Sequence, residues 1–240
     1  MEQKLNFSLG ILSWKSPRTL INTLSSYLES ELLEIANDVT IFFQEGSNLD
    51  KEIAQAYKVK YILSPTNVGI GKAFTALAES AETDYILLNE NDWINIENKE
   101  TTYTRINDAL RALSTDEIDV VKMRHRKNPG DPLYTRQYAG KEMVSSKHLF
   151  ECVHWRENPD KDFPAYIGYS DDVKLYFSDS KYANQTNNPC IYKKEFYLKN
   201  ISPFSGEGID LEGKIDGWWQ KQMFTVAHGE GLFTHHRIDR

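Results

Sequence analysis

Two carboxylates one residue apart, Glu90 and Asp92, are the residues of this 240-residue chain best placed for chemistry. They belong to D-Y-I-L-L-N-E-N-D-W, residues 84–93. Its apolar run Tyr85-Ile86-Leu87-Leu88 has the length and bulk of a buried strand, and it breaks abruptly into Asn89-Glu90-Asn91-Asp92. A strand ending this way presents both carboxylates at one edge of its sheet. In an open α/β sheet the carboxyl edge is where ligands bind. Hard oxygen donors suit Mg2+ or Mn2+, with substrate phosphates filling the remaining positions. The plain alternative is a polar exit from strand to loop.

The elements that must position this pair lie just upstream. Ser64-Pro65-Thr66-Asn67-Val68-Gly69-Ile70-Gly71-Lys72-Ala73-Phe74 follows the apolar run 59–63. Ile70, Ala73, Phe74, Leu77, Ala78 and Ala81 then recur at helical spacing, which predicts a helix over 70–81. The unit is strand, glycine-bearing turn, helix, and the strand that carries Glu90 and Asp92. Glycines at a helix start let a ligand approach free N–H groups and the positive end of the dipole. Neither standard phosphate fingerprint is met: Phe74 takes the place of the third glycine of G-x-G-x-x-G, and Thr66 that of the first P-loop glycine. Taken alone, the glycines describe a tight turn.

Together the two segments resemble the nucleotide-sugar domain of family 2 glycosyltransferases, with N-x-G-x-G-x-A at a helix start followed by an apolar strand ending in D-x-D. Asn67, Gly69, Gly71 and Ala73 match the first element, and Glu90-Asn91-Asp92 stands where the family has D-x-D. Glu90 replaces the first Asp and keeps its charge. The resemblance implies the GT-A fold: an α/β chain with a mostly parallel central sheet flanked by helices. Residues 1–240 would form one such domain, with a nucleotide-sugar half at 1–125 and an acceptor and catalytic half at 126–240. It implies a Mn2+ or Mg2+ cofactor on Asp92 and Glu90, with late His235 as a further metal ligand. Ser13, Glu45, Asn67, Gly69, Gly71, Lys72, Glu90, Asn91, Asp92 and Arg237 are the implied nucleotide-sugar contacts. Glu45 would accept from an N–H of uracil, thymine or guanine, which cytosine N3 does not offer; a solvated turn residue is the alternative. Glu212 is the implied catalytic base, with Asp210 and Asp216 as alternates. The family's Q-x-x-R-W is only echoed, by Trp218-Trp219-Gln220.

The rest of the chain agrees with an α/β protein. Residues 7–14 predict a first strand, and Ser16 with Pro17 an N-capped helix whose apolar face is Leu20, Leu24, Tyr27 and Leu28. A strand over 38–43, a helix over 49–57 and the strand 59–63 continue the alternation expected of parallel strands with crossovers. A helix through Tyr103, Ile106, Leu110 and Leu113 and a strand over 118–123 follow. Lys122, Arg124, His125, Arg126, Lys127 and Arg136 form a basic run that reads as a solvated face, or as a phosphate or acceptor clamp. Residues 140–188 have no clean periodicity, and Asp171-Asp172 reads as surface. Leu211, Ile215, Trp218 or Trp219, and Met223 predict a last helix, one tryptophan packing in the core and the other free to stack on a sugar.

Composition narrows the function. A net charge of −7 speaks against a general nucleic-acid binder. Cys152 and Cys190 have no motif spacing and are expected as reduced thiols. The N-terminus lacks the apolar core of a signal peptide, and no run approaches the roughly 18 apolar residues of a membrane span. A soluble cytoplasmic protein is expected. The reading is a glycosyltransferase taking a nucleoside-diphosphate sugar and a glycan or other hydroxyl acceptor. One base with no evident nucleophile fits single displacement, hence inversion. The rivals are a sugar-phosphate nucleotidyltransferase, whose basic glycine-rich signature near the first strand is missing from F-S-L-G-I-L-S-W-K, and a non-catalytic binding protein on the same fold.

Overall fold

In a computed structural model, which describes residues 4–130, 146–206 and 211–239, the chain is organised around one ten-stranded sheet. The first half supplies β1 (Ser8–Trp14), β2 (Asp38–Gln44), β3 (Lys60–Leu63), β4 (Tyr85–Glu90) and β5 (Trp93–Asn95). The second supplies β6 (Val120–Arg124), β7 (Gly168–Ser170), β8 (Leu175–Asp179), β9 (Cys190–Lys193) and β10 (Thr225–His235). Their order is β3-β2-β1-β4-β9-β6-β10-β8-β7, with β5 on the end of β10. β1 to β4, β6 and β10 share one direction, and β9 runs against them between β4 and β6. This is the expected mostly parallel sheet.

Helices α1 (Pro17–Glu29), α2 (Leu32–Ile35), α3 (Asn48–Ala56) and α5 (Lys99–Ser114) cover one face; α4 (Ile70–Ser80), α7 (Lys194–Asn200) and α8 (Leu211–Trp219) cover the other. The short α6 spans Pro159–Asp162. With both faces covered, central strands bury nearly every residue, and side chains alternate between two cores. Leu87, Val121 and Met123 join the first core, while Ile86, Leu88 and Val120 join the second. Gly10 lets α4 settle onto β1, because a Cβ there would lie 2.9 Å from Leu88 and 3.1 Å from Leu77. Among the described residues no helix is long and apolar enough to cross a membrane. Cys152 and Cys190 are buried thiols.

Several local expectations are corrected. Ser16 stands at the N-cap of α1, but its hydroxyl donates to the Trp14 carbonyl, 2.7 Å away. The cap comes from the other end of the chain: Asp239 Oδ2 accepts from the N–H groups of Arg18 and Thr19 at 2.8 and 3.1 Å. Leu28 is 52% exposed and Met223 65%: Leu28 lies in the last turn of α1, where no element among the described residues buries it, and α8 ends at Trp219. β4 runs on through Asn89 to Glu90, held by pairing of Glu90 with Leu12. Most of the basic run is not a solvated face: Lys122, Arg124, His125 and Arg126 are buried, and Lys127 is exposed. Arg124 donates to the carbonyls of Pro129 and Gly130, and Arg126 to those of Val153, Arg156 and Glu157. With Lys122 on Glu151, His125 on Glu97 and Arg126 also on Glu230, these side chains are committed to carbonyls and carboxylates and are not displayed as a phosphate clamp. Arg136 lies outside the described residues.

Candidate active site

The carboxyl ends of β1, β2 and β4, the start of α4 and the end of β10 meet at one edge of the sheet. β4 sets the depth of the acidic pair. Asn91 N–H donates to the Leu12 carbonyl at 2.9 Å, and Thr23 donates to the Asn91 carbonyl at 2.6 Å. Tyr27, fully buried, donates to the Trp93 carbonyl at 2.6 Å. The turn between β4 and β5 is therefore tied to α1 on its buried side, and Asp92 is left at the edge, almost wholly enclosed.

β10 reaches Asp92 because it bends. Its parallel register with β6 shifts between His228 and Phe233, where Gly231 sits at φ +66°. A side chain there would place Cβ 2.1 Å from the Arg124 carbonyl oxygen, so the bend requires glycine. Beyond it His235 lies opposite Trp93 in β5. His235 Nε2 stands 3.2 Å from Asp92 Oδ2, and His236 N–H donates to the Asp92 carbonyl at 2.7 Å. Asp92 Oδ1 is buried with no hydrogen-bond partner among the described residues. Glu90, half-buried, has its carboxyl pushed up to about 8 by burial and by the negative charges of Asp92 and Glu212, against the pull of His235 and Arg237. Arg237 Nε donates to the Asp239 carbonyl at 3.0 Å, within the tail that caps α1.

Glu212 is thus within electrostatic reach of Glu90 although 122 residues of chain separate them. It lies exposed in the first turn of α8, and its Oε1 accepts from the Asn187 N–H at 2.5 Å. Asp216, one turn on, is ion-paired with Lys147 and accepts from Gln220. Asp210 falls outside the described residues. Trp219 is buried and donates to the Ala183 carbonyl at 2.8 Å, whereas Trp218 is half-buried between Phe204 and Phe224.

On the other side of the edge, Glu45 Oε2 accepts from Trp14 Nε1 at 2.7 Å and pairs with Lys15 Nζ at 2.6 Å. Those two bonds hold its carboxyl below the usual range. Lys15 and Glu45 both sit at positive φ, 48° and 52°, a strained backbone at adjacent strand ends. Trp14 is 45% exposed beside them, while Ser13 is buried. Asn67 Oδ1 accepts from Gly69 N–H at 2.9 Å, and Gln44 Oε1 takes the N–H groups of Val68 and Gly69. Gly71 is needed for packing, since a Cβ there would lie 3.0–3.2 Å from Ser205. Lys72 is exposed on the first turn of α4. Asn91 turns its amide towards the Ser16 carbonyl, 3.4 Å away. Gln44, Thr23 and Asp239 were not singled out from the sequence and Tyr27 was read only as part of an apolar face; their bonds span distances that no local pattern signals.

Among the described residues no group of three or more His, Cys, Asp or Glu side chains is arranged to hold a metal ion. The expected set of Asp92, Glu90 and His235 is therefore no protein-only cage. Asp92 and His235 form the close pair, and a cation there needs ligand oxygens from elsewhere, as hard cations on one or two carboxylates commonly do. A groove of about 630 Å³ lined by Ile118, Tyr166, Phe177 and Thr225 contains none of these residues.

No protein-family model and no curated protein matches the chain. Solved structures do. A mannosyltransferase from Pyrobaculum calidifontis, in complex with GDP-Man and Mn2+, superposes with TM-score 0.61 at 8% identity over 99% of this chain and 58% of that one. S. aureus TarS 1-349 gives TM-score 0.59 at 15% identity over 97% and 60%. Glucosyl-3-phosphoglycerate synthase from Mycobacterium tuberculosis, in complex with phosphoglyceric acid, gives 0.57 at 14% over 98% and 73%. The chain thus spans about three fifths of the first two proteins. Their common architecture, with the sheet order and crossovers above, gives this chain the GT-A glycosyltransferase fold.

Proposed function

We propose that the protein is a metal-dependent glycosyltransferase that moves a sugar from a UDP- or GDP-type nucleoside-diphosphate sugar to a hydroxyl of a glycan or other acceptor, with inversion. The observation that carries this reading is the Asp92–His235 pair at the carboxyl edge of a GT-A sheet, with Glu90 and Glu212 close by. The mannosyltransferase crystallised with GDP-Man and Mn2+, and the glucosyl-3-phosphoglycerate synthase with UDP-Glc and Mn2+, support the donor class.

The residues fit a hard divalent cation: an orphaned, buried Asp92 oxygen and a carboxyl on Glu90 that burial and its neighbours' charges keep protonated both call for positive charge. Asp92 and His235, with Glu90 beside them, would hold Mn2+ or Mg2+. When bound, the ion neutralises charge developing on the diphosphate. Arg237 adds a positive charge on the same side. Glu45 receives base N–H groups through the oxygen that Trp14 and Lys15 leave free, with Ser13, Asn67, Gly69, Gly71, Lys72 and Asn91 around the donor. In the transfer step the acceptor oxygen forms a bond to the anomeric carbon. The bond from that carbon to the β-phosphate oxygen breaks, and the nucleoside diphosphate leaves with the electron pair. Glu212 takes the acceptor proton. One base with no evident nucleophile among the described residues fits a single displacement that inverts the centre.

The test is a thermal-shift panel of UDP-, GDP- and CDP-sugars with and without Mn2+, on the wild type and Asp92→Asn. A UDP- or GDP-sugar with Mn2+ should stabilise the wild type by about 2.7 kcal/mol at a hundredfold excess over Kd. The variant should lose that gain while melting as a folded protein. An unchanged Mn2+-dependent shift refutes the metal role of Asp92. Equal responses to UDP- and CDP-sugars remove the base-reading role of Glu45, and binding without turnover makes the chain a binding protein.

A further inference from the structure

The catalytic reading leaves one buried ion pair unused. Lys122 in β6 and Glu151 in the 3-10 helix Leu149–His154 are 4% and 5% exposed, with Nζ and Oε1 2.5 Å apart. Taking two charges out of water costs several kcal/mol each, and apolar residues of similar volume often serve stability as well or better. Such a pair therefore invites a role in setting geometry. Lys122 lies on the α8 face of the sheet, opposite Cys190 in β9 and His228 in β10, so its ammonium cannot leave that face. Burial opposes ionisation of Glu151, yet the Lys122 ammonium overcomes it and holds the carboxyl at about 2. Glu151 therefore stays ionised across the physiological range.

The second bond of the ammonium is the informative one. Lys122 Nζ also donates to Asn184 Oδ1 at 3.0 Å. Asn184 begins a polar segment that runs alongside α8 and is bonded to both of its ends. Next to Asn184, the Ala183 carbonyl accepts from Trp219 Nε1, and three residues on, the Asn187 N–H donates to Glu212 Oε1. Between these ties the segment braces itself through Gln185 Nε2 to the Thr186 carbonyl and Asn188 N–H to Thr186 Oγ1. α8 needs such bracing: it carries Gly213 and Gly217 among nine residues, and a Cβ at Gly217 would meet nothing within 4 Å. Each glycine costs a helix about 1 kcal/mol relative to alanine.

We propose that Lys122, held by Glu151, is a positioning residue that fixes Glu212 through Asn184 and the Asn187 N–H. This rests on the reading of Glu212 as the base. The ion pair anchors the segment to the rigid sheet, the segment sets the side chain of Glu212, and the carboxylate keeps one oxygen directed at the acceptor. Displacing a catalytic group by about 1 Å can cost roughly 100-fold in rate, so the effect belongs in turnover and not in donor affinity.

Three variants test this, using full-length protein, Mn2+ and whichever of UDP-glucose or GDP-mannose gives the thermal shift. Asn184→Ala keeps the ion pair and cuts its link to the segment. Asn184→Asp keeps an oxygen facing Lys122. Lys122→Met with Glu151→Leu removes both charges together, which avoids stranding one. The expected result is a 10- to 100-fold fall in donor turnover for Asn184→Ala and for the double variant, with unchanged donor affinity, and recovery in Asn184→Asp. Amide hydrogen exchange at Asn187 should quicken in Asn184→Ala. Wild-type turnover in both cut variants while Glu212→Gln is impaired overturns the inference alone, as does unchanged protection of the Asn187 amide. If wild-type protein with Mn2+ turns over no donor, the transferase reading fails and the positioning role falls with it.

Discussion

Replacing Glu90 with Gln in the metal-free protein should reverse part of its pH dependence of stability. The folded carboxyl titrates at about 8 against an ordinary 4.5, because burial and the charges of Asp92 and Glu212 oppose its ionisation. A raised carboxyl pKa means the folded state binds a proton that the unfolded chain has released. Stability is therefore unaffected below about 4.5, falls as pH rises through the window up to about 8, and stays lowered above it. At 1.36 kcal/mol per unit the ceiling is on the order of 5 kcal/mol. Glu90 is only half-buried and water relaxes part of this, so about 2 kcal/mol is expected, or about 4–8 °C in Tm for a chain of this length. Gln carries no charge at any pH, so the variant should melt above wild type at pH 8.5 and lose the advantage at pH 5. The assay is thermal unfolding in chelator across pH 5–9. With Mn2+ and donor the order should reverse, because binding the ion requires the ionised carboxylate. Parallel pH profiles for the two proteins in chelator would refute the crowded-carboxylate argument.

Two further perturbations address how the chain brings this site together. Gly231→Ala forces a Cβ onto the Arg124 carbonyl at a positive φ, and a loss of at least about 1–3 kcal/mol is expected in denaturant unfolding. It should also weaken the Mn2+-dependent shift, since the bend carries His235 to Asp92. Asp239→Ala removes the cap on Arg18 and Thr19 and should cost about 1 kcal/mol. Faster exchange of the Thr19 amide is the second readout, and an unchanged rate would mean the tail does not cap α1 in solution.

The amino-acid sequence by itself determined the elements of the first half of the chain. Ile70, Ala73, Phe74, Leu77 and Ala78 form a helix because their spacing lines one face, a property complete within a few turns. Tyr85 to Leu88 form a strand because a short apolar run between turn signals needs burial on both sides. Glu90 and Asp92 followed, since a strand's end is a local feature. Charge was a poorer guide. Lys122, Arg124 and Arg126 read as solvated because nothing nearby neutralises them, yet their partners are Glu151, the carbonyls of 129–130 and 153–157, and Glu230. Only tertiary structure decided that Asp92 meets His235, that Asp239 and not Ser16 caps α1, and that Leu28 and Met223 stay in water. Each of these depends on which distant surface arrives opposite. That is set by strand order and by one glycine-dependent bend in β10, and periodicity within a short window carries no information about either.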